Sequence, residues 1–430
     1  VATRFEPSGA LRGRLRPPAD KSISHRAALI AAMGEGQTTI EGFLDSADTR
    51  STLAAVQAVG AEVLGAGSAL EPTIRIRGVG LRGAKSARID VGNAGTLLRL
   101  LPGWLAGQKE GSWTLDGDDS ILQRPVDRIA LPLQEMGARL SCRDDRLPPL
   151  EITAERLRGI EYELPVASAQ VKSCLLFAGL VAQGETWVGE PLRTRDHTER
   201  MLAEAGANIA WLRGGIAVRP AKTLELGELT IPADFSSAAF FIVGALLVGG
   251  SEVELTEVGT NPTRTGLLRV LERMGAEVEV EAVGKRGGEP IGTVRARASE
   301  LRGVEVGGED IPLAIDELPL IALAACFAEG ETTISDATEL RRKESDRIAT
   351  TAAALTALGA TVETREDGLW IEGGGGLQGG TIESHGDHRI AMLGAIAGLA
   401  SRDGVEVDGM DAATVSYPGF ESDLATLSKS

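Results

Sequence analysis

Along the chain, a glycine followed by a short β-branched or alternating strand pattern recurs six times. The copies are Gly36-Gln-Thr-Thr-Ile, Gly111-Ser-Trp-Thr-Leu, Gly184-Glu-Thr-Trp-Val, Gly250-Ser-Glu-Val-Glu-Leu, Gly330-Glu-Thr-Thr-Ile and Gly404-Val-Glu-Val, spaced 66 to 80 residues apart. Self-similarity at such a period marks repeated supersecondary units. A second marker, Gly-Ala before a strand, falls at Gly60, Gly137, Gly206, Gly275 and Gly359. It follows apolar residues at helical spacing, such as Leu267, Leu268, Leu271 and Met274. A glycine there suits a left-handed helix C-cap. The next residues alternate as a strand does, for instance Glu277-Val278-Glu279-Val280. One unit therefore reads helix, strand, helix, strand, strand. It is too long for a solenoid repeat and has no capping copies. The expectation is an α/β fold of six similar units, closed or divided into two lobes of three. Repetition alone equally allows a non-catalytic scaffold.

The polar residues sit at the helix starts. Asp20-Lys21-Ser22, Asn93-Ala94-Gly95-Thr96, Ser168-Ala169-Gln170, Asp234-Phe235-Ser236-Ser237, Asp316-Glu317 and His385-Gly386-Asp387-His388-Arg389 each open a helical pattern. Ser, Asp and Asn there are ordinary N-caps. Helix N-termini also carry free N–H groups and the positive dipole end, so they suit anions. Capping does not account for Lys21, which the dipole disfavours unless an anion sits beside it.

Composition narrows the partners. The chain has 430 residues with 44 Lys+Arg against 61 Asp+Glu, a formal net charge of −17. A field of that sign does not draw in nucleic acid or anionic lipid. No apolar stretch reaches the roughly 18 residues of a membrane span, and Ala238 to Gly250 suits a buried helix. The N-terminal residues lack an apolar signal-peptide core, so a cytoplasmic soluble protein is expected. Cys142, Cys174 and Cys326 form neither a disulfide framework nor a zinc spacing. His385 and His388 read H-x-x-H without a third ligand nearby, and no metal is expected.

Two glycine-rich stretches mimic nucleotide motifs. Gly78-Val79-Gly80-Leu81-Arg82-Gly83 has the dinucleotide spacing, but Ala87 to Val91 after it reads as strand, which leaves a pyrophosphate no helix N-terminus. It is a turn, and Gly373 to Gly376 is a loop between strands. The basic residues Lys21, Arg26, Arg124 and Arg195 are more suggestive, as is the dense run Arg341 to Arg347. Charge runs are usually solvated faces. Lys343 and Arg347, four apart with Glu344 beside them, also form a face able to hold an anion and tune a carboxylate.

Seven motifs, in order within a match that extends from about residue 8 to 425, closely resemble the 5-enolpyruvylshikimate-3-phosphate (EPSP) synthase family. They are Pro18 to Arg26, Gly92 to Thr96, Gly117 to Pro125, Ser168 to Ser173, Arg195 to Thr198, Lys343 to Arg347 and Asp387 to Arg389. The resemblance implies two lobes of three α/β units with helix N-termini facing the inter-lobe cleft. Residues 21–231 would form the shikimate 3-phosphate lobe, and 1–20 with 232–430 the lobe carrying the acid/base groups. It implies enolpyruvyl transfer from phosphoenolpyruvate to the 5-hydroxyl of shikimate 3-phosphate, with phosphate release. No cofactor, a monomer and glyphosate as inhibitor are also implied.

By position, the resemblance assigns Lys21 to both substrates. Ser22, Arg26, Ser168, Ala169, Gln170 and Arg195 go to shikimate 3-phosphate, with Asp316 and Lys343. Asn93, Gly95, Arg124, Gln170, Arg347, His388 and Arg389 go to phosphoenolpyruvate. Asp316 takes the 5-hydroxyl proton, and Glu344 with Lys343 serves the methylene carbon. Three positions depart from one family branch: Ala169 for a second serine, Val415 for a lysine and Leu100 for a proline. The related UDP-N-acetylglucosamine enolpyruvyl transferases carry Lys-Asn where this chain has Lys21-Ser22. They also have a cysteine in the loop filled here by Asp119 to Gln123.

Overall fold

The computed structural model describes residues 2–65 and 72–429. The chain forms two compact units: Ala19–Pro232 with Lys285–Glu289, and Val1–Pro18 with Ala233–Gly284 and Pro290–Ser430. Each surrounds its own apolar core.

Six long helices lead directly into the six glycine-marked strands. In the first unit these are α1 (Lys21–Met33) to β1 (Gln37–Glu41), α2 (Gly95–Ala106) to β2 (Ser112–Asp116) and α3 (Ala169–Val181) to β3 (Thr186–Gly189). The second unit holds α4 (Phe235–Leu247) to β4 (Glu252–Gly259), α5 (Leu318–Phe327) to β5 (Glu331–Ile334) and α6 (His388–Ala400) to β6 (Val405–Asp408). Each of these strands lies inside a small mixed sheet. Around β1, Glu228–Thr230 pairs in parallel on one side, while Ile74–Arg77 pairs antiparallel on the other and carries Glu62–Leu64 at the edge. The first five sheets share this four-stranded order.

The parallel strands ahead of the long helices are two to four residues long. Apolar alternation reveals only Ala87–Asp90 among them, because segments such as Glu161–Glu163 are too short to show a period. The strand entering α1, Arg12–Leu15, pairs with β4, and the strand entering α4, Glu228–Thr230, pairs with β1.

The sixth unit departs from the repeat. Its sheet has three strands, with Thr3–Phe5 antiparallel to β6 and Gly380–Glu383 parallel to it. Where the other units have a helix and hairpin, the chain ends in a 3₁₀ turn, Met410–Val415, and a helix, Phe420–Ser428. Phe240 and Phe241 of α4 pack there on Tyr417 and Phe420, with ring centroids 5.7–5.9 Å apart. Such pairs add about 0.5–1.5 kcal/mol beyond burial. In a chain with 3% aromatic residues, this cluster anchors the C-terminus.

The glycine markers have local causes. The five Gly-Ala glycines have φ of 86–105°, the left-handed cap conformation. Gly78 lies against the carbonyls of Ala31, Ala32 and Gly34, where any Cβ collides with backbone. Val79 N–H donates to Ala32 O (2.9 Å) and Gly80 N–H to Gly34 O (2.8 Å), so the glycine-rich turn closes the C-terminus of α1. After its first turn α4 is apolar on every face, and it is buried from Phe235 to Leu246, as a central helix is. Among the described residues no helix is long and apolar enough to cross a membrane.

Candidate active site

Four of the six long helices carry a side-chain N-cap: Asp20 on α1, Ser168 on α3, Asp234 on α4 and Asp387 on α6. α2 and α5 have none. The candidate residues gather at or near these helix starts, in one group within each unit.

In the first unit, Lys21 is the first residue of α1, and its Nζ lies 3.0 Å from Asp48 Oδ2. The anion demanded by a lysine at a helix N-terminus is therefore a protein carboxylate. At α2, Asn93 Nδ2 donates to Asp118 (2.7 Å), and Arg124 Nη2 donates to Asn93 Oδ1 (2.7 Å) and Ser120 Oγ (3.2 Å). A Cβ on Gly95 would stand 2.9 Å from Arg124 Nη1 and 3.0 Å from Arg99 Nη1. Gln170 of α3 accepts from Arg99 (3.2 Å) and donates to Thr96 (3.2 Å), while Arg99 also donates to Gly95 O (3.3 Å). Arg124 thus holds Asn93, while Gly95 and Gln170 are joined through Arg99, which lies one helical turn after Gly95. That i, i+4 spacing was the available signal for it.

Arg26 is buried, with donors to Thr198 Oγ1 (2.6 Å), Ser22 O (3.0 Å) and Ser173 Oγ (3.2 Å). Burial pulls its guanidinium down to about 10; Glu199 opposes the shift and the charge of Arg195 adds to it. Arg26 and Arg195 thus repel each other. Ser168 and Ala169 are partly exposed at the start of α3. Beneath them Lys172 is buried between Glu199 (2.6 Å) and Glu190 (2.9 Å).

In the second unit, Asp316 is the hub. Its Oδ1 faces Lys343 Nζ (3.4 Å) and Arg347 Nη1 (3.3 Å), and its Oδ2 faces Arg389 Nη2 (3.7 Å). Arg389 Nη1 also donates to the Asp316 carbonyl (3.2 Å). Glu344 Oε2 accepts from Arg347 Nη2 at 2.6 Å. Behind them Glu317, fully buried, pairs with Arg264 (3.1 Å) and accepts from Ser236, whose hydroxyl accepts from Arg389 (3.1 Å). His388 is buried in the first turn of α6, with Nδ1 4.0 Å from Asp387.

The helix face expected at Lys343 to Arg347 is absent. A 3₁₀ turn ends at Arg342, the next residues form a bend, and Asp346 caps a helix that begins at Arg347. Lys343 and Arg347 still converge on one oxygen, through the bend. The run is not a solvated face either, because Arg347 is buried. The H-x-x-H pair does not converge: His385 is exposed beside Glu383 (3.6 Å), while His388 is inside. Among the described residues no group of three His, Cys, Asp or Glu is arranged to hold a metal. Burial pushes the Cys174 and Cys326 thiols up to about 12, which makes them poor nucleophiles. Asp48 and Arg264 were missed because nothing in their local sequence marks them.

The profile of the EPSP synthase (3-phosphoshikimate 1-carboxyvinyltransferase) family matches residues 5–424. A 3-phosphoshikimate 1-carboxyvinyltransferase of Gloeobacter violaceus is 48% identical over 429 residues, 99% of each chain. One from Alkalilimnicola ehrlichii is 48% identical over 417 residues, covering 96% of this chain and 93% of the relative. The solved EPSP synthase of Acinetobacter baumannii superposes with a TM-score of 0.87 at 42% identity, over 99% of this chain and 97% of that one. With its six sheets and its charged helix starts, the chain belongs to the EPSP synthase family.

Proposed function

We infer that this chain transfers the enolpyruvyl group of phosphoenolpyruvate to the 5-hydroxyl of shikimate 3-phosphate and releases phosphate, a step of aromatic amino-acid biosynthesis. Full-length identity of 48% to a relative bearing that enzyme name carries the reading. The cations gathered around Asp316 support it.

The chemistry is an addition followed by an elimination. A proton adds to C3 of phosphoenolpyruvate, and the 5-hydroxyl oxygen bonds to C2 as its own proton leaves to a base. The tetrahedral adduct then loses a C3 proton while its C2–O bond to phosphate breaks. Asp316 is the base, and Glu344 with Lys343 moves the proton at C3. A positioned acid or base of this kind contributes about 10²–10⁴-fold. Lys21, Ser22, Arg26, Ser168, Ala169, Gln170 and Arg195 hold shikimate 3-phosphate. Asn93, the Gly95 backbone, Arg124, Gln170, Arg347, His388 and Arg389 surround phosphoenolpyruvate, whose developing charge the cations stabilise.

Each of Lys21, Lys343 and Arg347 is paired with a protein carboxylate. Anionic substrate groups compete for those cations. When they draw Lys343 and Arg347 away from Asp316 Oδ1, that oxygen becomes available to the hydroxyl proton. We expect a cytoplasmic monomer that needs no cofactor. Phosphorus NMR on a mixture of both substrates tests the reading: the phosphoenolpyruvate signal gives way to inorganic phosphate while the 3-phosphate persists. An unchanged spectrum refutes it.

A further inference from the structure

Arg26 differs from Lys172, another buried cation of the first unit. Lys172 sits between two carboxylates, whereas among the described residues none lies within ion-pair distance of Arg26. Its three partners are neutral oxygens: Thr198 Oγ1 at Nε, Ser22 O at Nη1 and Ser173 Oγ at Nη2. A guanidinium has five N–H donors. One N–H on each terminal nitrogen is left to donate to an oxygen of a carboxylate or phosphate.

The two hydroxyls are wired in one direction. Ser173 donates its only hydrogen to Ala169 O (2.7 Å). The 2.6 Å contact between Ser173 and Thr198 therefore has Thr198 as donor. Both hydrogens point away from Arg26, and both oxygens offer it lone pairs. Their positions share one anchor. Lys172, next to Ser173 in α3, is 2.6 Å from Glu199, next to Thr198 in the helix His197–Glu204.

We propose that Thr198 and Ser173 are positioning residues for the reaction: together with the Ser22 carbonyl they hold all three nitrogens of Arg26, so that its remaining N–H groups meet an anionic group of shikimate 3-phosphate already oriented. This rests on the reading that Arg26 binds that substrate. Preorganisation of this kind acts on binding of one substrate, because the immobilisation cost is met before the ligand arrives.

The test combines steady-state kinetics with calorimetric binding of shikimate 3-phosphate alone, on wild type, Thr198→Val, Thr198→Ser and Ser173→Ala. Thr198→Val keeps the shape and removes the hydroxyl. It is expected to raise KM and Kd for shikimate 3-phosphate about tenfold, with KM for phosphoenolpyruvate unchanged and kcat within about twofold. Thr198→Ser restores wild-type values, and Ser173→Ala, the milder truncation, shifts the same two constants if the valine variant does not fold. Unchanged shikimate 3-phosphate constants in Thr198→Val and Ser173→Ala overturn the proposal. So does a joint loss in both substrates that serine does not rescue, or a wild type that binds no shikimate 3-phosphate. Wild type that binds it without turnover overturns the activity, and the binding ratios still decide the positioning role.

Discussion

Arg347 and Asp387 grip each other at two points, Nε to Oδ2 at 2.8 Å and Nη2 to Oδ1 at 3.1 Å, with both side chains buried. Asp387 also caps α6 through Arg389 N–H (2.9 Å) and accepts from Ser345 (2.9 Å). One carboxylate therefore orients Arg347 and the helix start that carries His388 and Arg389. Burial works against the Asp387 charge, yet Arg347 holds the carboxyl below its usual range. Burial likewise opposes the guanidinium charge, and Asp387 and Glu344 more than reverse it.

Asp387→Asn leaves that guanidinium short of its main counter-charge. Breaking a buried pair costs about 3–5 kcal/mol. Urea denaturation is expected to show a loss of this size, and a loss below about 1 kcal/mol contradicts the pair's assigned role.

Asp316→Ala and Glu344→Gln bear on the chemistry rather than the fold. Each is expected to lower kcat by about 10²–10⁴, with circular dichroism unchanged. Near-wild-type turnover in both removes them from the proton transfers.

Gly95→Ala inserts a methyl 2.9 Å from Arg124 Nη1 and 3.0 Å from Arg99 Nη1. Both neighbours are flexible guanidinium ends, so the helix survives while the arginines shift. KM for phosphoenolpyruvate is expected to rise about tenfold, with KM for shikimate 3-phosphate unchanged. Glyphosate is expected to inhibit the wild type and to lose potency in this variant. Full wild-type activity in excess glyphosate contradicts the site assignment.

His25 gives a pH signature. Its ring is buried against Thr52 Oγ1 (2.6 Å), and burial lowers its pKa from 6.5 to about 3, with Asp48 opposing and Lys21 and Arg26 reinforcing the shift. Below 6.5 the unfolded chain takes up a proton that the folded chain refuses. Stability from this site is thus complete above 6.5 and is lost as pH falls toward 3, by at most about 1.4 kcal/mol per unit. His25→Gln is expected to flatten the stability curve between pH 6.5 and 5. Parallel curves for wild type and variant contradict it.

Much of the scaffold was legible in the sequence because its signals are local. A glycine forced to positive φ at Gly275, or an Asp N-cap at Asp20, shows itself within a few residues. The site was legible only in part. Thr198 meets Arg26 across 172 residues, and Asp48 meets Lys21 across 27, with no pattern in the chain between them. Lys343 and Glu344 misled for the opposite reason. Their spacing to Arg347 has a helical period, but Asp346 takes the cap position and starts the helix after them. The departure of the sixth unit from the repeat was not legible, because the N-terminal strand Thr3–Phe5 completes its sheet from the far end of the sequence.

The central claim is tested most directly by measuring phosphate release from phosphoenolpyruvate with shikimate 3-phosphate, UDP-N-acetylglucosamine or no acceptor. Release that depends on shikimate 3-phosphate is the predicted result. Release with the nucleotide sugar alone, or with neither acceptor, contradicts it.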